Sequence, residues 1–197
     1  MFASLRDYYY VHNKVMEDAV LTFSRAVKQA CAGEQLVGMF HGYLQNHWLL
    51  EGGQATLKEA LQSADIDFWS GPPQYNRRGH GEHACNRFPG ASLKAHGKLW
   101  ISESDIRTCF AEPSSGTPAL HGGPPDLAAS LGCLMREFAH QLCVGGNGWW
   151  FPMGRNWYNH PPVLTLVSAK TGSRQWSVPK AFIGSSERNF RPGVRHG

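Results

Sequence analysis

The stretch His96-Gly97-Lys98-Leu99-Trp100-Ile101-Ser102-Glu103-Ser104-Asp105-Ile106-Arg107-Thr108 decides how this chain folds. Lys98 to Ser102 reads as an apolar strand that runs straight into Glu103, with Asp105 two residues later. A carboxylate at the C-terminal end of a buried parallel strand lies on the rim where barrel enzymes gather their loops and their chemistry. The plainer reading, that Glu103 and Asp105 are solvated residues opening a loop, stands beside it.

On the N-terminal side, residues 74–94 change composition to Arg, Gly, His and Asn, and read as a long loop. Loops of this length inside a compact domain are usually functional or disordered. His80, His83 and Cys85 fall here, but the spacing offers no regular fourth ligand, so polar surface is the expectation rather than a metal site. On the C-terminal side, a Pro/Gly/Ser loop over 112–125 leads to a helix capped by Asp126, with Leu127, Leu131, Leu134, Phe138 and Leu142 as its buried stripe and Gly145-Gly146 as its stop. A further strand follows over 148–153, with Pro152 near its end, where a missing amide donor is tolerable.

Further upstream, Asn13 is a cap candidate for an amphipathic helix whose expected buried stripe is Val15, Ala19, Val20, Phe23, Ala26, Val27 and Ala30, stopped at Ala32-Gly33. Leu36 to Tyr43 is an apolar run without alternation, as in a strand covered on both faces. A shorter helix over 55–62 and a strand over 66–69 come next. Strands alternating with helices predict an α/β fold with a parallel sheet and right-handed crossovers. Four strands make either a small open sheet or about half of an eight-stranded barrel. Neither G-x-G-x-x-G nor G-x-x-x-x-G-K-[ST] occurs, which sets nucleotide binding aside.

The chain has 197 residues, enough for one ordinary domain, and 42% hydrophobic content suffices for a core. Seven Trp suit a site that stacks on flat, weakly polar ligands, although core packing would use them equally. The net charge of +4 is confined to residues 174–197, where Arg174, Lys180, Arg188, Arg191 and Arg195 face only Glu187. A neutral body with a basic tail is not a phosphate-binding face, so nucleic acid is not an expected partner. Five cysteines without C-x-x-C spacing predict free thiols in a reducing compartment. No secretory leader pattern and no membrane-length apolar run is visible, which predicts a soluble, cytoplasmic protein.

Taken together, LVGMFHGY, DIDFWSGP, HGKLWISESDIRT and REFAHQLCVGGNGWWFPMG, in this order, resemble the second half of the catalytic barrel of β-galactosidase-like glycoside hydrolases, nearest to family 42. The resemblance spans roughly residues 13–158. It implies a partial (β/α)8 TIM barrel, about strands five to eight, over residues 1–173, followed by an irregular basic tail over 174–197. It also implies that Glu103, at the end of the seventh strand, is the nucleophile of a retaining glycosidase, and that the acid/base lies on strand four, outside this sequence. Retaining hydrolysis needs two carboxyl groups about 5–5.5 Å apart. Arg107 or Lys98 would keep Glu103 ionised, and Asp105 is expected as a loop anchor, with Arg107 as its partner.

The resemblance places an aromatic platform at Trp149 or Trp150, one of which must point to the opposite face and join the core. Tyr43 and His41, ending the first strand, and Trp69, ending the second, are expected to face a carbohydrate substrate, and Asp105 and Arg107 complete the candidate set. Pro152 stands where the family pattern has an acidic residue. No cofactor is implied. The expected partners are carbohydrate and either the missing N-terminal half-barrel or a second copy, because an open half-barrel exposes strand edges. Three readings follow: a glycosidase half, a non-catalytic carbohydrate binder, and a truncated product without function.

Overall fold

The computed structural model describes residues 2–41, 50–84, 86–111, 123–153 and 157–170. In chain order these form α1 (Phe2–Ala30), β1 (Gly38–Phe40), α2 (Lys58–Gln62), β2 (Phe68–Gly71), α3 (Gly90–Ala95), β3 (Leu99–Ser104), α4 (Leu127–Val144), β4 (Asn147–Trp150) and α5 (Pro161–Lys170). The four strands make one sheet in the order β1-β2-β3-β4, and every pairing is parallel. The fold is therefore mixed α/β, as the alternation of strands and helices predicts. The tail over 174–197 lies outside the described residues.

Local chemistry sets the element ends. Asp126, extended at φ −147, accepts the Ala129 amide at 2.8 Å and caps α4, a contact typically worth about 1 kcal/mol. Gly145, left-handed at φ 70, closes that helix by donating its amide to Gln141 and Leu142 carbonyls. At α1, Ala32 and Gly33 take φ 51 and 78 and end the helix where the sequence places its stop. One short helix, α3, forms inside the stretch expected to be loop; its Leu93 is fully buried, and that anchor holds the turn in place.

In-register parallel neighbours share a face, so the register sorts the sheet. Trp69 lies beside Trp100 and both are buried with Ala60, Leu61 and Leu93 of the short helices. Farther along the same face, Ser102 reaches Glu137 of α4, and Trp150 joins the cluster of Leu134, Tyr158 and Val163. This is the helix-covered face. The opposite face carries Phe40, Phe68, Leu99, Ile101, Glu103 and Trp149, none of them fully buried. A Cβ at Gly38 would overlap the Phe68 ring, so glycine is required there by close approach.

α1 corrects the sequence reading most sharply. Asn13 is not its cap; the helix starts eleven residues earlier, at Phe2, and Asn13 is buried within it. Val15, Phe23 and Val27, expected in the core, are 59%, 71% and 48% exposed, while Asn13, Glu17 and Ser24 are buried. A polar seam fixes this rotation. The Asn13 side chain donates to the Leu50 carbonyl at 2.9 Å and accepts the Ala55 amide at 2.7 Å, and Glu17 Oε1 accepts the Glu59 and Ala60 amides at 2.9 and 3.1 Å. Glu17 thereby satisfies two amides of the first turn of α2, which has no side-chain cap of its own. Val20 and Leu21 supply the apolar contact to the core.

α4 is also turned from expectation. Leu134 is buried, but Leu142 is 63% exposed, and the buried side includes Ser130, Glu137 and Gln141.

Candidate functional site

Glu103 is the next-to-last residue of β3, and its in-register neighbour on β4 is Trp149. Strand spacing therefore sets the carboxyl and the indole side by side on the uncovered face. Among the described residues the Glu103 side chain makes no hydrogen bond and no ion pair. Burial, and then the negative charge of Asp105, push its pKa above the ordinary carboxylate value. Neither expected cation is there to oppose this. Lys98 donates to the Ser63 and Ile66 carbonyls at 2.5 and 2.6 Å, and the Arg107 guanidinium sits 5.1 Å from the Trp157 ring centroid.

Asp105 is a loop anchor, but its ionic partner is Arg78 rather than Arg107. Arg78 Nη2 donates to Asp105 Oδ1 at 2.6 Å with both side chains largely buried. The same guanidinium donates to the Gln74 and Pro73 carbonyls at 2.7 and 2.8 Å, so one residue ties the loop after β2 to the end of β3. Tyr75 lies beneath two guanidinium groups, with Arg78 at 4.3 Å and Arg87 at 3.7 Å from its ring centroid, a cation–π arrangement that rigidifies the rim.

From β4 and beyond, Tyr158 donates to the Ser104 and Ile106 carbonyls, Thr108 donates to the Trp157 carbonyl at 2.6 Å, and the Phe151 amide donates to Ser104 at 2.8 Å. Residues 104–108 are thus clamped from both sides. Burial holds the Tyr158 phenol protonated, as a donor.

The remaining candidates separate. Trp149 is on the face of Glu103, whereas Trp150 turns to the helices and packs edge-on against Tyr158 at 5.9 Å. Trp69 is fully buried on the helix side, 6.0 Å from Phe88, and does not reach the open face. His41 is on that same inner side. Its ring meets Phe88 edge-on at 6.5 Å, its Nδ1 is 3.1 Å from the Met39 sulfur, and burial lowers its pKa, which keeps the imidazole neutral. Both residues were expected at the substrate. Strand parity sends them inward. Tyr43 lies outside the described residues.

Sequence reasoning missed the polar layer beneath the site. Glu137 Oε1 accepts from Ser102 at 3.2 Å and from Gln141 at 3.0 Å, and Gln141 also donates to Asn86 at 3.0 Å. Glu137 is 1% exposed, and its Oε2 has no hydrogen-bond partner among the described residues. Burial raises its pKa, which favours the protonated form of Glu137. The only sequence signal was a carboxylate on what reads as an apolar helix face.

No group of three or more metal-ligating side chains occurs among the described residues. Cys31, Cys109, Cys133 and Cys143 are free thiols, and Cys85 is outside the described set. No described helix is long and apolar enough to cross a membrane. A groove of about 490 Å³ opens elsewhere, between Leu5, Tyr9 and Tyr10 of α1 and the segment at Leu50 and Ala55. No family model, curated protein or solved structure matches this chain.

Proposed function

We propose that this chain is half of a retaining glycoside hydrolase barrel of the β-galactosidase-like type, with Glu103 as its nucleophile and Trp149 as the platform beneath the sugar. One observation carries the reading. Glu103 and Trp149 share the uncovered face at the C-terminal end of a parallel sheet, where such folds bind substrate, and the segment behind Glu103 is clamped by Arg78 and Tyr158. A carboxyl on a clamped strand end beside an aromatic ring suits an anomeric carbon approached across a sugar face. Asp105 cannot supply the second carboxyl group while it is committed to Arg78.

A second reading, carbohydrate binding without hydrolysis, is favoured for the isolated chain because Asp105, the carboxyl whose charge reaches Glu103 among the described residues, is held by Arg78. The test separates the two. In saturation-transfer NMR, a β-galactoside should bind the wild-type chain and lose its signal in Trp149→Ala at unchanged circular dichroism. In any assembly of this chain that hydrolyses the galactoside, Glu103→Gln should abolish turnover, and azide should rescue Glu103→Ala. Full turnover in Glu103→Gln refutes the nucleophile, and unchanged binding in Trp149→Ala refutes the platform.

A further inference from the structure

We infer that Arg136 of α4 is a positioning residue for the Glu103 rim: it grips a strained turn in the loop after β2 and so keeps the Arg78 guanidinium on Asp105. The contacts stand whatever Glu103 does, and only their bearing on a reaction rests on the glycosidase reading.

Arg136 Nη1 donates to the Gly79 and Glu82 carbonyls at 2.6 and 2.9 Å, and its Nη2 donates to the Arg78 carbonyl at 3.0 Å. One side chain of a regular helix thus holds three carbonyls of a loop that has no helix or strand of its own among the described residues. The Cys133 thiol, three residues earlier on α4, reaches the same Arg78 carbonyl at 3.5 Å. A guanidinium suits this task because its planar fork spans several acceptors at once.

The gripped turn is held against its own preference. Arg77 takes φ 55, in the left-handed region that disfavours a residue with a Cβ. Such a conformation persists only where its surroundings over-determine it. Arg136 supplies one restraint, on the carbonyl of the next residue. The Arg78 side chain supplies the other, folding back to donate from Nε to the Gln74 carbonyl at 2.7 Å and from Nη2 to the Pro73 carbonyl at 2.8 Å.

The far end of this chain of contacts is Asp105. Arg78 Nη2 reaches its Oδ1 at 2.6 Å, and the Asp105 charge is felt at Glu103. Arg78 is the cation that forms an ion pair with Asp105 among the described residues. Lys98 and Arg107 are engaged at Ser63, Ile66 and Trp157, and Arg87 lies over the Tyr75 ring that Arg78 also meets. Glu137 of α4 and Tyr158 ahead of α5 also face the pair, and burial favours the protonated form of both. With Arg136 removed, Arg77 relaxes and Arg78 leaves Asp105, whose charge then acts on Glu103 uncompensated.

Side-chain NMR of the folded chain reads both ends. In Arg136→Gln the Arg78 Nε–H should lose at least about tenfold of its exchange protection, the worth of one bond from a charged donor, while the Trp69 amide in β2 keeps its own. Glu103 should titrate at a higher pH than in the wild type, and this displacement should vanish in the Asp105→Asn background. Adding Arg77→Gly removes the strain that Arg136 works against, because glycine adopts positive φ freely. It should return both the Arg78 protection and the Glu103 titration toward wild-type values. Arg136→Lys keeps the charge without the fork and carries the same expectations if Arg136→Gln does not fold. The inference is overturned by unchanged Arg78 protection, by a loss the Trp69 amide shares, or by an Arg77→Gly change that restores nothing. A Glu103 titration that stays in place, or moves equally without Asp105, overturns it as well. None of these readouts uses turnover, so they are decided apart from the glycosidase reading, which azide rescue of Glu103→Ala tests.

Discussion

Replacing a buried glutamate should cost this protein more than removing a phenylalanine from the same helix. Glu17 Oε1 accepts two amide protons of α2, from Glu59 at 2.9 Å and Ala60 at 3.1 Å, and Glu17 is 4% exposed. Hydrogen bonds to a charged acceptor contribute roughly 1.5–3 kcal/mol each, and losing a helix cap typically costs ~1 kcal/mol. The two amides share one oxygen, so the contributions do not add in full, and Glu17→Ala should cost about 2–3 kcal/mol. Phe23 is 71% exposed, and surface substitutions stay within about 0.5 kcal/mol. At roughly 2–4 °C per kcal/mol for a chain of this size, thermal melts by circular dichroism should drop by about 4–12 °C for Glu17→Ala and by no more than about 2 °C for Phe23→Ala. Urea melts should show the same order at an unchanged slope. If α1 were instead rotated as its hydropathy suggests, Phe23→Ala would cost about 3–5 kcal/mol and Glu17→Ala almost nothing, and that reversal would refute the polar seam.

Asp105→Asn removes the partner of Arg78 and the charge that helps raise Glu103. Breaking a largely buried pair costs about 3 kcal/mol, and NMR titration of Glu103 should give a lower pKa than in the wild type; an unchanged or higher value would sink the coupling. Glu137→Gln should stabilise the protein increasingly as pH rises. The folded pKa of Glu137 is above its unfolded value, so the native state holds the proton longer. The wild type therefore loses stability from about pH 4.5, the ordinary carboxyl value, upward through the folded pKa, whereas glutamine has nothing to release. Urea melts across this range that keep a constant wild-type-to-variant difference would rule out the protonated layer.

Much of the sheet was legible because its signals are local. Alternation of strand and helix, the Asp126 cap and the Gly145 stop each depend on a few adjacent residues, and each stands in the structure where the sequence places it. Glu103 was legible as a strand-end residue and Trp149 only as one of a pair with Trp150, and the sharing of one face by Glu103 and Trp149 rests on the register between β3 and β4, a long-range quantity. His41 and Trp69 were misread because position near a strand end says nothing about parity, and both fall on the inward phase. The rotations of α1 and α4 escaped for another reason. Hydropathy assumes that the most apolar side is the buried one, whereas Asn13, Glu17 and Glu137 find hydrogen-bond partners inside and hold those sides inward.

The electrostatics of Glu103 also constrain what must cover it. With one face of the sheet open, burial and Asp105 already favour its protonated form. Any surface laid over that face removes more water and raises the pKa further, unless it brings hydrogen-bond donors or a cation to the carboxylate. A cover bringing only a second carboxyl group would push the Glu103 pKa up further, because two such groups at hydrolytic separation cannot both ionise freely. For Glu103 to attack an anomeric carbon as proposed, whatever covers this face has to bring hydrogen-bond donors or a cation to its carboxylate.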